Sequence, residues 1–96
     1  MVVSYMRLDL ALPGARSLKD KRAVLRSLAD KIRHAYRASV AEVDDQELWG
    51  NATLGVAVVG NDAALGDVML RKILELVESR PDVEVRGSLT EALRVD

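Results

Sequence analysis

Ninety-six residues, 49% of them apolar and 30% charged, suffice for one domain around one core and are too few for two. The chain has no cysteine, which excludes disulfides and thiolate chemistry and removes the usual ligands of a structural metal. Its formal net charge of −1 hides a polarised distribution: Arg16, Lys19, Lys21, Arg22, Arg26, Lys31, Arg33 and Arg37 face only Asp20 and Asp30 within one stretch, a local +6 inside a remainder of −7.

In chain order, Val2 to Leu12 begins with an alternation. Met6, Leu8, Leu10 and Leu12 point one way and Tyr5, Arg7, Asp9 and Ala11 the other, which predicts a half-buried strand. Pro13 and Gly14 end it and lead through Ala15 into the basic stretch.

That stretch reads as a helix over 17–37. At about 100° per residue, Leu18, Val24, Leu25, Leu28, Ile32, Ala35 and Tyr36 share an arc of roughly 120°, the expected core face. Lys19, Arg22, Arg26, Arg33 and Arg37 share a second arc of roughly 60°, a basic stripe interrupted by Ala29 and Asp30. Lys31 lies on a plain solvent face. Ser17 is the expected N-cap, and Asp20 three residues later makes a pattern like a capping box.

The helix start runs against its own electrostatics. Arg16, Lys19, Lys21 and Arg22 crowd the end where the macrodipole favours negative charge, and Lys21 points into the apolar arc, where its ammonium would snorkel over the core rim. A solvated basic face with the Lys21 stem packed over the core edge is one reading; a bound anion or a nucleic-acid phosphate, which would relieve both features, is the other. Lys21 is the residue on which the anion reading leans most.

Beyond Tyr36, Ala38 to Val43 is a short β-compatible run, followed by an acidic patch of Glu42, Asp44, Asp45 and Glu47 and then Leu48, Trp49 and Gly50. Ala52 to Val59 is apolar on both faces and reads as a strand inside the sheet. Asp62 is positioned to cap a second helix over 62–80, with Leu65, Val68, Met69, Ile73, Leu76 and Val77 as its core line. Pro81 and Asp82 break that helix. Val83 to Leu89 alternates again, Gly87 marks a bulge, and the tail from Thr90 to Asp96 either extends the strand or frays.

Strand, helix, strand, strand, helix, strand is the order of an α+β fold of the ferredoxin-like split β-α-β type (βαββαβ), an antiparallel sheet with two helices on one face. The whole chain, 1–96, reads as one such domain. The uncovered face would show Tyr5, Arg7, Asp9, Thr53, Gly55, Ala57, Val59, Glu84 and Arg86. Domains of this topology that stack RNA bases do so on aromatics of the central strands, and Thr53 to Val59 contains none. A smooth centre of Gly55, Ala57 and Val59 suits sheet-to-sheet or edge packing, so a homodimer, with Tyr5 on that surface, is expected as readily as ligand binding there.

No catalytic constellation assembles. His34, the only histidine, falls on the outward side of the first helix; there is no phosphate-cradling glycine loop, and Asp44, Asp45 and Glu47 lack metal-ligand spacing. The reading is therefore of a non-enzyme without cofactor or metal. Trp49, the sole tryptophan, either caps the core or anchors a partner. No apolar run approaches the roughly 18 residues of a membrane span, and the amino terminus lacks the charged, apolar and cleavage-site order of a secretion signal. A cytoplasmic protein without membrane contact is expected.

The run Pro13 to Arg22, then Ser39 to Val43, Leu48-Trp49, Leu54 to Val59 and Asn61-Asp62 together resemble the YlxP-like family of small bacterial proteins of unknown function. The first block is the most specific, and Gly87 to Asp96 matches only loosely. The resemblance implies a ferredoxin-like fold and a bacterial cytoplasmic protein whose relatives' genes often lie near those of ribosome maturation and translation initiation. It implies no activity. Its helix-start pattern falls on Arg16, Ser17, Lys19, Lys21 and Arg22, the group already singled out by charge.

The function expected is docking on structured RNA, including a ribosomal subunit, through Arg16, Ser17, Lys19, Lys21, Arg22, Arg26, Arg33 and Arg37, with phosphates rather than bases as the contacts. The alternative is a dimeric interaction or regulatory module that uses the open sheet face and Trp49.

Overall fold

The computed structural model describes residues 1–96, and its elements follow the expected order: β1 (Val2–Ala11), α1 (Leu18–Tyr36), β2 (Ser39–Asp44), β3 (Asn51–Gly60), α2 (Ala63–Glu78) and β4 (Glu84–Arg94). The strands form one antiparallel sheet in the order β2-β3-β1-β4, so each βαβ half crosses over the other in the ferredoxin-like manner. Both helices lie on the face presented by the even-numbered residues of β1. There Met6, Leu8 and Leu10 of β1 and Leu54, Val56 and Val58 of β3 meet Leu25, Leu28 and Ile32 of α1 and Leu70, Ile73 and Val77 of α2. Burying each of these large aliphatic side chains contributes about 2 kcal/mol, which makes this layer the main source of stability.

α1 begins as its cap residues dictate. The Ser17 hydroxyl accepts the Asp20 backbone N–H at 3.0 Å, which satisfies one donor of the first turn, and the Asp20 carboxylate accepts the N–H of Arg16, the residue before the cap, at 2.9 Å. Arg37 ends the helix in the left-handed region, φ 50°, with its N–H on the Arg33 carbonyl. α2 starts at Asp62, whose carboxylate accepts the Ala64 N–H at 2.8 Å.

Two expectations are corrected, and of the two courses left open for the tail the extension holds. The buried line of α2 is Leu70, Ile73 and Val77, while Leu65 and Val68 are exposed; the helix is rotated because it touches β1 through Gly66, which meets the buried Ser4. Ala35 of α1 is exposed, the helix burying Ala29 and Lys21 instead. The tail does not fray: β4 pairs with β1 up to Arg94, beyond which Val95 and Met1 exchange backbone hydrogen bonds of 2.8 and 3.1 Å. The ladder slips one residue opposite Asp9 and Leu10, leaving Arg86 as the extra residue beside Gly87, where the bulge was expected. In consequence Gly87, Leu89, Glu91 and Leu93 join the open face and Arg86 is displaced from it.

Candidate nucleic-acid interface

α1 packs along β2 at one edge of the sheet and turns its basic side outward. Arg16, Lys19, Arg22, Arg26 and Arg37 are exposed, as are Lys31 and His34. The distribution of ion pairs is uneven. Arg7, Lys21, Arg33, Arg71, Arg80 and Arg86 each lie against a carboxylate. No carboxylate pairs with Arg16, Lys19, Arg22, Arg26, Lys31 or Arg37, and outside this segment only Lys72 and Arg94 share that condition. The uncompensated positive charge of the molecule is thus gathered on one helix.

Between α1 and the edge strand β2 runs an open cleft of about 220 Å³, lined by Arg22, Arg26 and Arg33 on one side and Val40, Ala41 and Glu42 on the other. Arg33 is only half available: its guanidinium donates to the Val40 carbonyl at 2.7 Å and lies 3.4 Å from Asp30. This contact covers an outward carbonyl of an edge strand, a common way of blocking further strand pairing.

Lys21 is placed differently from the expectation. It is 1% exposed, and its ammonium donates to the carbonyls of Asp45, at 2.6 Å, and Leu48 and lies 2.7 Å from the Glu42 carboxylate. Its two hydrogen bonds go to backbone carbonyls and its charge to Glu42, whose buried oxygen accepts no hydrogen bond, and at 1% exposure the ammonium is closed to an external anion. The lysine at the apolar arc is a tether between the first turn of α1 and the β2–β3 loop, and it neutralises Glu42, the one carboxylate that lines the basic cleft. Ser17 accepts the capping bond, which leaves its exposed O–H free to donate.

The tether sets the course of the acidic loop. Asp45 takes a left-handed conformation, φ 60°, which aspartate tolerates better than most residues. Its carboxylate accepts the Thr53 hydroxyl at 3.2 Å, and Asp44 lies 3.9 Å from Arg7, so both turn toward the open face of the sheet. Trp49 goes the other way. It is 49% exposed beside a hollow of about 430 Å³ shared with Leu12, Pro13, Ala15 and Leu48, next to the start of α1. Tyr5 lies on the open face, where its hydroxyl donates to Glu91 of β4, and that bond raises its pKa above the ordinary 10.0. The two aromatic partner candidates are therefore in separate places.

Sequence reasoning missed Val43, Leu89 and Leu93, exposed by 55%, 56% and 58%. The alternation Leu89, Glu91, Leu93 was legible, whereas the bulge that turns Val43 across Gly55 was not. Also missed was the Arg80–Asp82 pair, whose bonds of 2.6 and 2.9 Å hold the Asp82 carboxyl below its usual range while Arg80 also donates to Ser27 of α1. No group of three or more acidic or imidazole side chains is arranged to hold a metal ion. No helix is long and apolar enough to cross a membrane.

Fold and surface together define a small α+β domain of ferredoxin-like topology with an unpaired basic outer helix. The chain belongs to the DUF503 family of proteins of unknown function, whose model matches residues 3–88. It is 26% identical over 90 residues to the uncharacterized protein YlxP of Bacillus subtilis (strain 168), an alignment covering 94% of this chain and 98% of that one.

Proposed function

We propose that this protein docks on structured RNA through the outward face of α1, reading phosphates rather than bases. The observation that carries the reading is the collection of unpaired cations at Arg16, Lys19, Arg22, Arg26 and Arg37, beside a cleft whose only carboxylate is neutralised by Lys21. Such a surface gains affinity by releasing counterions from the RNA. Trp49, half-exposed beside the same helix start, offers a stacking face to an unpaired base at the edge of the phosphate contacts. Ribosomal RNA is the natural first target, given the genes that neighbour the relatives.

Co-sedimentation with ribosomal subunits across a salt series tests the proposal. Binding at low salt that is lost at high salt is expected. Arg22→Ala/Arg26→Ala, folded by circular dichroism, should weaken it and lower the salt slope by about one for each lost contact. Lys72→Ala, on α2, should leave it unchanged. Equal binding by the arginine double variant and the parent would return the stripe to a solvated surface.

A further inference from the structure

The sheet face away from the helices is ordered by size. Register places its side chains in rows across the four strands: Val59, Val3 and Leu93; then Ser39, Ala57, Tyr5 and Glu91; then Ala41, Gly55, Arg7 and Leu89. The large side chains stand mostly on β1 and β4, while β2 and β3 present small ones apart from Val59 and from Val43, which turns across Gly55. A shallow depression of about 380 Å³ lies over Ser39, Ala41, Gly55 and Ala57, walled by Tyr5, Arg7 and Val43.

Apart from the Ser39 hydroxyl, the polar groups of these rows are already paired within the face. Tyr5 donates to Glu91, Arg7 lies 3.4 Å from Asp9, and Thr53 donates to Asp45 at 3.2 Å. Covering the face would therefore bury apolar surface, including Val59 at 68% and Leu93 at 58% exposure, with few polar groups left unpaired.

We infer that a second copy of this chain covers the open face, packed sheet to sheet about a two-fold axis that runs parallel to the strands between β1 and β3. This axis keeps each row in register and exchanges the two sides. Leu89 of one copy lies over Ala41 of the other, Tyr5 over Ala57, and Leu93 in the space beside Val59 that β2 does not reach. A two-fold axis across the strands would instead set Leu89 and Leu93 against the partner's β4, large on large, and leave both depressions empty. At about 4.8 Å per strand and 3.4 Å per residue the face is roughly 19 by 24 Å, so two copies bury about 900 Å², close to the roughly 1,000 Å² a specific interface needs. Aligned sheets pack about 10 Å apart at about −30°, which leaves both pairs of helices outside.

The absence of cysteine makes the test clean. Sheets about 10 Å apart exceed disulfide reach, so a short bis-maleimide is the probe. Chains carrying Ala41→Cys mixed with chains carrying Leu89→Cys should cross-link to a covalent dimer, and neither alone should. In sedimentation at micromolar concentration the parent should run at twice the chain mass, at low and at high salt, and Leu89→Glu or Val59→Glu at the single mass with an unchanged circular dichroism spectrum. A monomeric parent, a dimer that survives both glutamates, or cross-linking of Leu89→Cys to itself would each overturn the inference.

Discussion

Lys21 illustrates how a single residue carries different meanings in the sequence and in the fold. Its methylene stem crosses the core edge, and its ammonium closes three polar contacts that no apolar side chain could replace. Lys21→Met keeps the stem and leaves two carbonyls without their donor and Glu42 without its counter-charge. Because Glu42 retains 22% exposure, the loss should fall near or below the range for a fully buried pair, about 2–4 kcal/mol by urea denaturation. Faster amide exchange over 45–50 should accompany it, since the tether holds that loop.

Asp82 gives a prediction in pH. Its folded-state pKa is lowered below 3.8, chiefly by the hydrogen bonds from Arg80. A depressed carboxyl contributes stability that is present above its unfolded pKa and lost as pH falls through the folded one. Asp82→Asn should therefore be less stable than the parent at neutral pH, and the two thermal midpoints should converge below about pH 4. The side chain is 38% exposed, so solvent screening keeps the gap small.

Among the elements, α2 depends on a residue of low helix propensity. A Cβ at Gly66 would run into the Ser4 hydroxyl and stand 2.9 Å from the Ser4 Cβ; the hydroxyl can rotate away, but that Cβ is held by the buried β1 backbone. Alanine should gain about 1 kcal/mol in helix propensity, yet the overlap costs more, so Gly66→Ala should destabilise by about 1–3 kcal/mol. Ser4→Gly in the same chain should recover part of the loss, and a double-mutant cycle in urea measures it. α1 contrasts with this, because its cap, core arc and left-handed end are all local. Ser17→Ala should cost about 1 kcal/mol through the lost bond to the Asp20 N–H.

For the whole molecule, the two proposed surfaces lie on opposite sides of the sheet and answer to different forces. The α1 face is electrostatic and should lose RNA as salt rises, whereas the open sheet face is apolar and should hold its partner under the same conditions. A dimer through the sheet would carry two basic helices on its outer layers. Sedimentation of the parent with and without RNA along one salt series should show RNA lost while the doubled mass persists.

Most of the fold was legible in the chain. The periods of β1 and α1, the capping residues Ser17 and Asp62, and the breaks at Pro13 and Pro81 are local signals, and they give the element order and its ferredoxin-like arrangement without any long-range information. The basic stripe was legible for the same reason, since helical geometry alone places Lys19, Arg22 and Arg26 on one side. What stayed hidden depends on contacts distant in sequence. The buried face of α2 is decided by Gly66 against Ser4 of β1, and Lys21 becomes a tether only because β2 and its loop bring Glu42, Asp45 and Leu48 to it. The size-sorted open face exists only once β4 is paired beside β1, because strand register, which no local pattern specifies across elements, sets which side chains share a row.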